Sequence, residues 1–316
     1  MPDTDTTNTN QEEEPLKDIT LEPGIYDFTP QIRDHIANGT PLSDEVSNVL
    51  KTFNEYYDFK EDIRQRGREA LLSEIDSSLK VFDFENAKEA VNKGLLLSQS
   101  INPDIKLQPF PTIFLFIPHR GDATSLYHQG CGINIDALKE DQFSKGTPLE
   151  KIASFSAHEG VHTFLKQLDK CMPERVKTRK EEIYSFMWEE GLTTYIEPLH
   201  FRHHAPIFED AKFWVKKISE WVNTNDINIK KQLHNEIVSR PSFIQWFRDM
   251  WGTRRPIPEE SNDELFSKML KQNNGPAYHV GACLWSKQIE KGNSLKDLVM
   301  AGYGNMEQWI QDAIKE

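Results

Sequence analysis

Cysteine is scarce in this chain of 316 residues: three stand at positions 131, 171 and 283, an odd number with wide spacing. That excludes a disulfide framework, and it equally excludes a zinc ribbon built from paired Cys. Uninterrupted apolar runs are missing too. No stretch approaches the roughly 18 apolar residues that a membrane-spanning helix needs, so no membrane partner is expected. Positive charge is in deficit, with 37 Lys and Arg against 50 Asp and Glu and a net charge of −13, which disfavours nucleic acid and anionic lipid as partners. The first twenty residues lack the basic start and apolar core of a signal peptide. Rich in Thr, Asn, Asp and Glu, residues 1–20 read as a disordered acidic tail, and the default compartment is the cytoplasm.

Among what is present, residues 158 to 162 stand out: His158-Glu159-Gly160-Val161-His162, the pattern HExxH. Two His four residues apart on a helix share one face, so their imidazoles can converge on one zinc ion, and the Glu beside the first can act as general base toward a water. A chain of this composition would contain the pattern by chance roughly 0.03 times. The surroundings are helical. Thr147-Pro148-Leu149-Glu150 is a capping box with Pro at the first helical position, and Leu149, Ile152, Ala153, Phe155, Val161, Phe164, Leu165 and Leu168 follow at helical spacing, which predicts a helix over 148–169. Gly160 costs such a helix up to about 1 kcal/mol relative to Ala, so something is expected to approach the backbone closely there. The bland alternative is a surface helix with local i,i+4 contacts.

A catalytic zinc takes a third protein ligand. A second capping box, Thr178-Arg179-Lys180-Glu181, opens a helix expected over 179–197 and closed by Pro198. Within it Glu190 lies on the more apolar stripe, with Ile183, Phe186, Met187 and Thr194. A buried carboxylate without a counter-charge is costly and a divalent cation removes that cost, so Glu190 is the expected third ligand and Glu189 the alternative. Solvation of both Glu is the competing reading.

An HExxH helix followed by a second helix carrying Glu-Gly-Leu-x-x-Tyr, here Glu190 to Tyr195, resembles the gluzincin type of zinc metallopeptidase. More narrowly, the chain is similar to a group of uncharacterised zinc-dependent peptidases of bacteria and archaea. Their pattern continues as Gly-Pro-x-Tyr-x-Val-Gly, here Gly275 to Gly281, and it begins upstream with two strands, here Thr112 to Pro118 and Gly132 to Ala137. The resemblance spans roughly residues 105 to 300. It implies zinc, one ion per chain, held by His158, His162 and Glu190, with Glu159 as general base and a peptide or protein as substrate. Tyr278 or His279, near a helix start at Pro276, is expected to stabilise the oxyanion; packing of Tyr278 in the core with His279 facing water is the alternative.

The expected fold is α+β: a mainly helical, zincin-like domain with a small mixed sheet over the HExxH helix. Residues 21–104 read as an N-terminal helical region, with starts at Ser43-Asp44-Glu45 and Asp83-Phe84-Glu85, and 105–316 as the catalytic region, with strands within 112–137 and further helices over 211–221, 227–238, 263–271, 276–291 and 306–314. An exposed strand edge beside the metal would bind an extended peptide by strand addition, if the strands do more than floor the core. His200, His203 and His204 read as a surface cluster, and His119 and His128 as loop residues. Two other function classes stay open: a metal-binding sensor without hydrolysis, and a helical interaction protein in which HExxH is coincidental. Iron or manganese could replace zinc.

Overall fold

In a computed structural model, the described residues are 21–53, 59–118, 123–125, 130–139, 146–171, 178–197, 210–241 and 275–315. Their elements run β1 (Ile25–Asp27), α1 (Thr29–Asn38), α2 (Asp44–Phe53), α3 (Phe59–Arg66), α4 (Arg68–Leu79), α5 (Phe84–Gln99), β2 (Thr112–Leu115), β3 (Ala123–Ser125), β4 (Cys131–Asn134), α6 (Pro148–Gln167) and α7 (Arg179–Ile196). After these come α8 (Ala211–Val222), α9 (Ile227–Val238), α10 (Pro276–Glu290), α11 (Leu295–Ala301) and α12 (Met306–Lys315). The fold is thus α+β and mostly helical. Residues 1–20 and 263–271 lie outside the described residues.

Helix starts follow the capping chemistry. Thr147 accepts from the Glu150 N–H at 3.3 Å while the Glu150 carboxylate accepts from the Thr147 N–H at 2.8 Å, the complete box. Thr178 accepts from the Glu181 N–H, Ser294 from Asp297, and Asp83 from both Glu85 and Asn86.

The sheet has the order β1-β2-β4-β3; β1, β2 and β4 are parallel and β3 is antiparallel to β4, so it is a mixed sheet. The strand β1 was not expected from hydrophobic spacing: three residues are too few to show a period. Both expected strands are also shorter than read. The ladder ends at Leu115 and Asn134, because the Asn134 side chain supplies the next rung itself, donating to the Ile117 carbonyl at 2.7 Å and accepting from its N–H at 3.0 Å. Asn134 also accepts from the Asp136 N–H, which turns Ile135–Leu138 into a 3-10 helix instead of more strand. All four residues of β4 are buried.

Two hydrophobic cores meet along α6. Ile152 and Ala153, in its first half, join a core made with the sheet and α1, α2, α4 and α5, including Ile32, Ile75, Val91 and Phe114. Val161, Phe164 and Leu165, in its second half, join another built on α7, α8, α10 and α12 around Trp188, Trp214, Trp285 and Trp309. Residues 158 and 159 therefore sit at the seam.

Close helix crossings hold these cores in register. A Cβ on Gly94 of α5 would stand 2.3 Å from the Ala153 carbonyl oxygen, and one on Gly160 would stand 2.4 Å from Ser98 Oγ. The close approach expected at Gly160 is real, but it comes from α5: Ser98 Oγ donates to the Ala157 carbonyl at 2.8 Å. At the α7–α10 crossing, a Cβ on Gly281 would meet the Met187 carbonyl oxygen at 2.1 Å and Gly191 Cα at 2.8 Å. Trp285 Nε1 donates to the Trp188 carbonyl at 2.8 Å beside it. Because these obstacles are backbone, no rotamer change relieves them, and Gly281→Ala is predicted to cost about 3 kcal/mol, the upper end of ordinary overpacking. Urea denaturation measures this directly; a loss within 0.5 kcal/mol, on the order of a surface change, would disprove the crossing.

Candidate metal centre

The helical rise places His158 and His162 one turn apart on the same face of α6. Their Nε2 atoms stand 3.1 Å apart, with ring centroids 4.9 Å apart. Opposite them on α7, Glu190 Oε2 lies 3.4 Å from His158 Nε2 and 3.5 Å from His162 Nε2. Among the described residues, these three side chains come close enough together to hold a metal ion.

The far sides of the two imidazoles are also engaged. His162 Nδ1 faces Glu189 Oε1 at 2.8 Å, and His158 Nδ1 faces Glu197 Oε1 in a short contact. A carboxylate accepts only, so each Nδ1 carries the proton and donates. In the neutral imidazoles both Nε2 atoms then present lone pairs toward each other at 3.1 Å, an arrangement that needs a cation between them or protons upon them.

The triangle fits a cation. Ligands about 2.0–2.1 Å from a tetrahedral zinc lie about 3.3–3.4 Å from one another, and the three edges here are 3.1, 3.4 and 3.5 Å. Glu190 Oε2 and Glu159 Oε2 are both buried and accept no hydrogen bond. Orphaned anionic oxygens in so dry a place are costly unless a positive centre faces them.

Electrostatics carries the same signature. Burial opposes charge on His158, yet Glu197 and Glu190 outweigh it and raise the imidazole to about 10. His162 is likewise raised against its burial, by Glu190 and Glu189. Glu190 is held well below the usual carboxylate range, the two imidazoles overcoming desolvation. Glu159 goes the other way, since burial pushes its carboxyl up. The raised imidazoles and the lowered Glu190 carboxyl both mark a place that favours positive charge.

Of the residues expected from the sequence, His158, His162 and Glu190 come together, and Glu159 is buried within electrostatic reach of both imidazoles. Glu189 does not join the triangle; it backs His162 instead. Neither Glu is solvated, at 2% and 8% exposure for Glu189 and Glu190. Tyr278 packs its ring edge-on against Phe186 at 5.1 Å, one turn before Glu190, and His279 is fully buried rather than facing water. His119, His128, His200, His203 and His204 lie outside the described residues. Nearby Cys171, whose thiol is pushed up to about 11 by burial and then by Glu189, is not among the side chains that converge.

Glu197 was missed. It stands seven residues after Glu190, two helical turns on and hence on the same stripe, which is the signal that could have revealed it. Its position next to Pro198 read only as a helix end. Ser154, one turn before His158, donates to Glu197 Oε2 at 3.3 Å.

Compared with known proteins, the chain matches no protein-family model, no curated protein and no solved structure. Among the described residues no helix is long and apolar enough to cross a membrane.

Proposed function

We propose that this protein is a zinc-dependent hydrolase of amide bonds, acting on peptides, with His158, His162 and Glu190 as ligands and Glu159 as general base. The observation that carries the reading is the triangle of ligand atoms with the buried, partnerless Glu159 Oε2 in the same dry seam. A zinc ion held there would supply Lewis acidity and bring a water's pKa down to about 7. Glu159 takes a proton from the attacking water at Oε2 and returns it to the departing amide nitrogen. Its burial suits that exchange, because a carboxylate raised from its ordinary range gains and loses a proton more readily near neutral pH. Tyr278, whose ring packs against Phe186 one turn before Glu190, is the side chain we assign to the developing oxyanion, with His279 as the alternative.

The substrate class rests on the sheet. The edge strand β3 ends the sheet order, and α6 packs on both β3 and β4. An extended peptide added to that edge would run alongside the HExxH helix. We assign catalysis to residues 105–316. The free state of all three cysteines suits a reducing compartment, and we place the protein in the cytoplasm.

Elemental analysis of untagged protein tests the reading. About one zinc per chain is the expected result; a chain that takes up no metal when zinc is offered at neutral pH is instead a helical interaction protein. A second reading, a metal sensor without hydrolysis, is favoured by the low exposure of the centre, 5% for Glu159 and 8% for both His162 and Glu190. Cleavage of a peptide library by the zinc-loaded protein separates the two.

A further inference from the structure

Among the described residues, the centre is drawn from two helices. From α6 come His158, Glu159 and His162, and from α7 come Glu189 and Glu190, with Glu197 as the residue that caps its C-terminus. Glu189 pairs with the later His and Glu197 with the earlier one, so the helices run antiparallel through the site. One helix thus presents both imidazoles while the other presents the third ligand and a carboxylate behind each ring.

We propose that Glu197 is a positioning residue for the metal: it holds His158 in the tautomer and ring orientation that directs Nε2 at the ion, as Glu189 does for His162. The inference rests on His158, His162 and Glu190 being the ligand set and does not depend on hydrolysis.

Several features single out Glu197 from a generic ion pair. Its two oxygens have separate tasks, Oε1 toward His158 Nδ1 and Oε2 toward Ser154 Oγ at 3.3 Å, so the carboxylate plane is set from two points one turn apart on α6. Its backbone N–H donates to the Thr193 carbonyl at 3.0 Å, which anchors the residue to the last turn of α7. It is 8% exposed, so water does not compete for Nδ1. An imidazole can ligate through either nitrogen, and the hydrogen bond made by one decides which remains for the metal. Here only the Nε2 atoms converge. With Nδ1 left unclaimed, the neutral ring could place its proton on Nε2 and withdraw the lone pair from the site. An ionised carboxylate behind the ring also makes the imidazole a stronger donor, and outer partners of this kind are worth about 10–100-fold in metal affinity. The full pattern is therefore His-Glu-x-x-His followed by Glu-Glu-x6-Glu, where the final Glu acts through a ring rather than on the metal.

The test uses the full chain and zinc itself. Zinc affinity is measured by competition with a chromophoric chelator for wild type, Glu197→Gln and Glu189→Gln, and the ring nitrogens of the zinc-loaded proteins are assigned by long-range proton–nitrogen NMR. Expected is a weakening of about 10–100-fold in each variant, with the nitrogen signature of His158 alone altered in the first and that of His162 alone in the second. Gln keeps the size of Glu, so folding is retained; thermal unfolding of the metal-free proteins checks this. If Glu197→Gln binds zinc within about twofold of wild type, a difference under 0.5 kcal/mol, and leaves the His158 signature unchanged, Glu197 merely ties α6 to α7 and the inference is overturned. Wild type that binds no zinc overturns the ligand set itself, and this role with it, a result distinct from the previous one.

Discussion

Glu159→Gln should lower peptide turnover by about 10²–10⁴-fold while zinc remains bound. The amide has the shape of the carboxyl but cannot take up a proton and pass it on, and Glu159 is not one of the three converging ligand side chains. The loss should therefore fall on kcat, with KM and zinc content close to wild type. Stability should move in the opposite direction. Burial already pushes the Glu159 carboxyl up, and its Oε2 has no hydrogen-bond partner, so a neutral amide removes the cost of an ionised group held in a dry seam. A variant that is equally or more stable yet inactive would mark a residue kept for chemistry. Turnover within tenfold of wild type would show that the proton is handled elsewhere. A wild-type protein that binds zinc and cleaves no peptide would favour the sensor reading.

Glu190→Ala should abolish stoichiometric zinc binding and destabilise the metal-free protein. Glu190 Oε2 faces both Nε2 atoms at 3.4 and 3.5 Å, and removing one member of a buried charge cluster costs about 3–5 kcal/mol because the partners lose their counter-charge. Zinc at a hundred times its Kd should stabilise the wild type by about 2.7 kcal/mol, and the variant by nothing measurable. Glu189→Ala is the control. It removes the partner of His162 Nδ1 but leaves the triangle, so zinc should bind more weakly and still be retained at one per chain. The reverse outcome, zinc lost with Glu189 and kept without Glu190, would exchange the two roles. Denaturation curves with and without zinc, together with elemental analysis, decide between them.

Much of this centre is legible one residue at a time. The Thr147 and Thr178 boxes begin their helices where the capping pattern says, because the unsatisfied N–H groups of a first turn are met by side chains only a few positions away. The pairing of His158 with His162 follows from helical rise alone. The stripe that carries Ile183 and Met187 favours Glu190 over Glu189, but Glu197 shares that stripe, so it does not tell which carboxylate faces the Nε2 atoms. Other features depend on contacts at long range. Gly160 signalled a close approach but not its source, which is Ser98 on α5. The strand expected to reach Ala137 ends at Asn134 because a side chain reaches across to Ile117, 17 residues away in the chain. Glu197 looked like a helix terminus because its partner lies 39 residues earlier.

The sequence by itself thus determined the two helices, the face each presents and the residue types capable of holding a divalent cation. Those properties depend on neighbours within a turn or two, where the helical period dictates position. The tertiary structure alone decided that the faces meet: Gly94 and Gly160 let α5 seat α6, Gly191 and Gly281 let α10 seat α7, and two cores join along α6. It also decided that Glu189 and Glu197 stand behind the rings while Glu190 stands before them. Which of three acidic residues on one helix faces a metal site depends on where that helix crosses its partner, and the crossing is set by the summed packing of distant side chains, which no local period encodes.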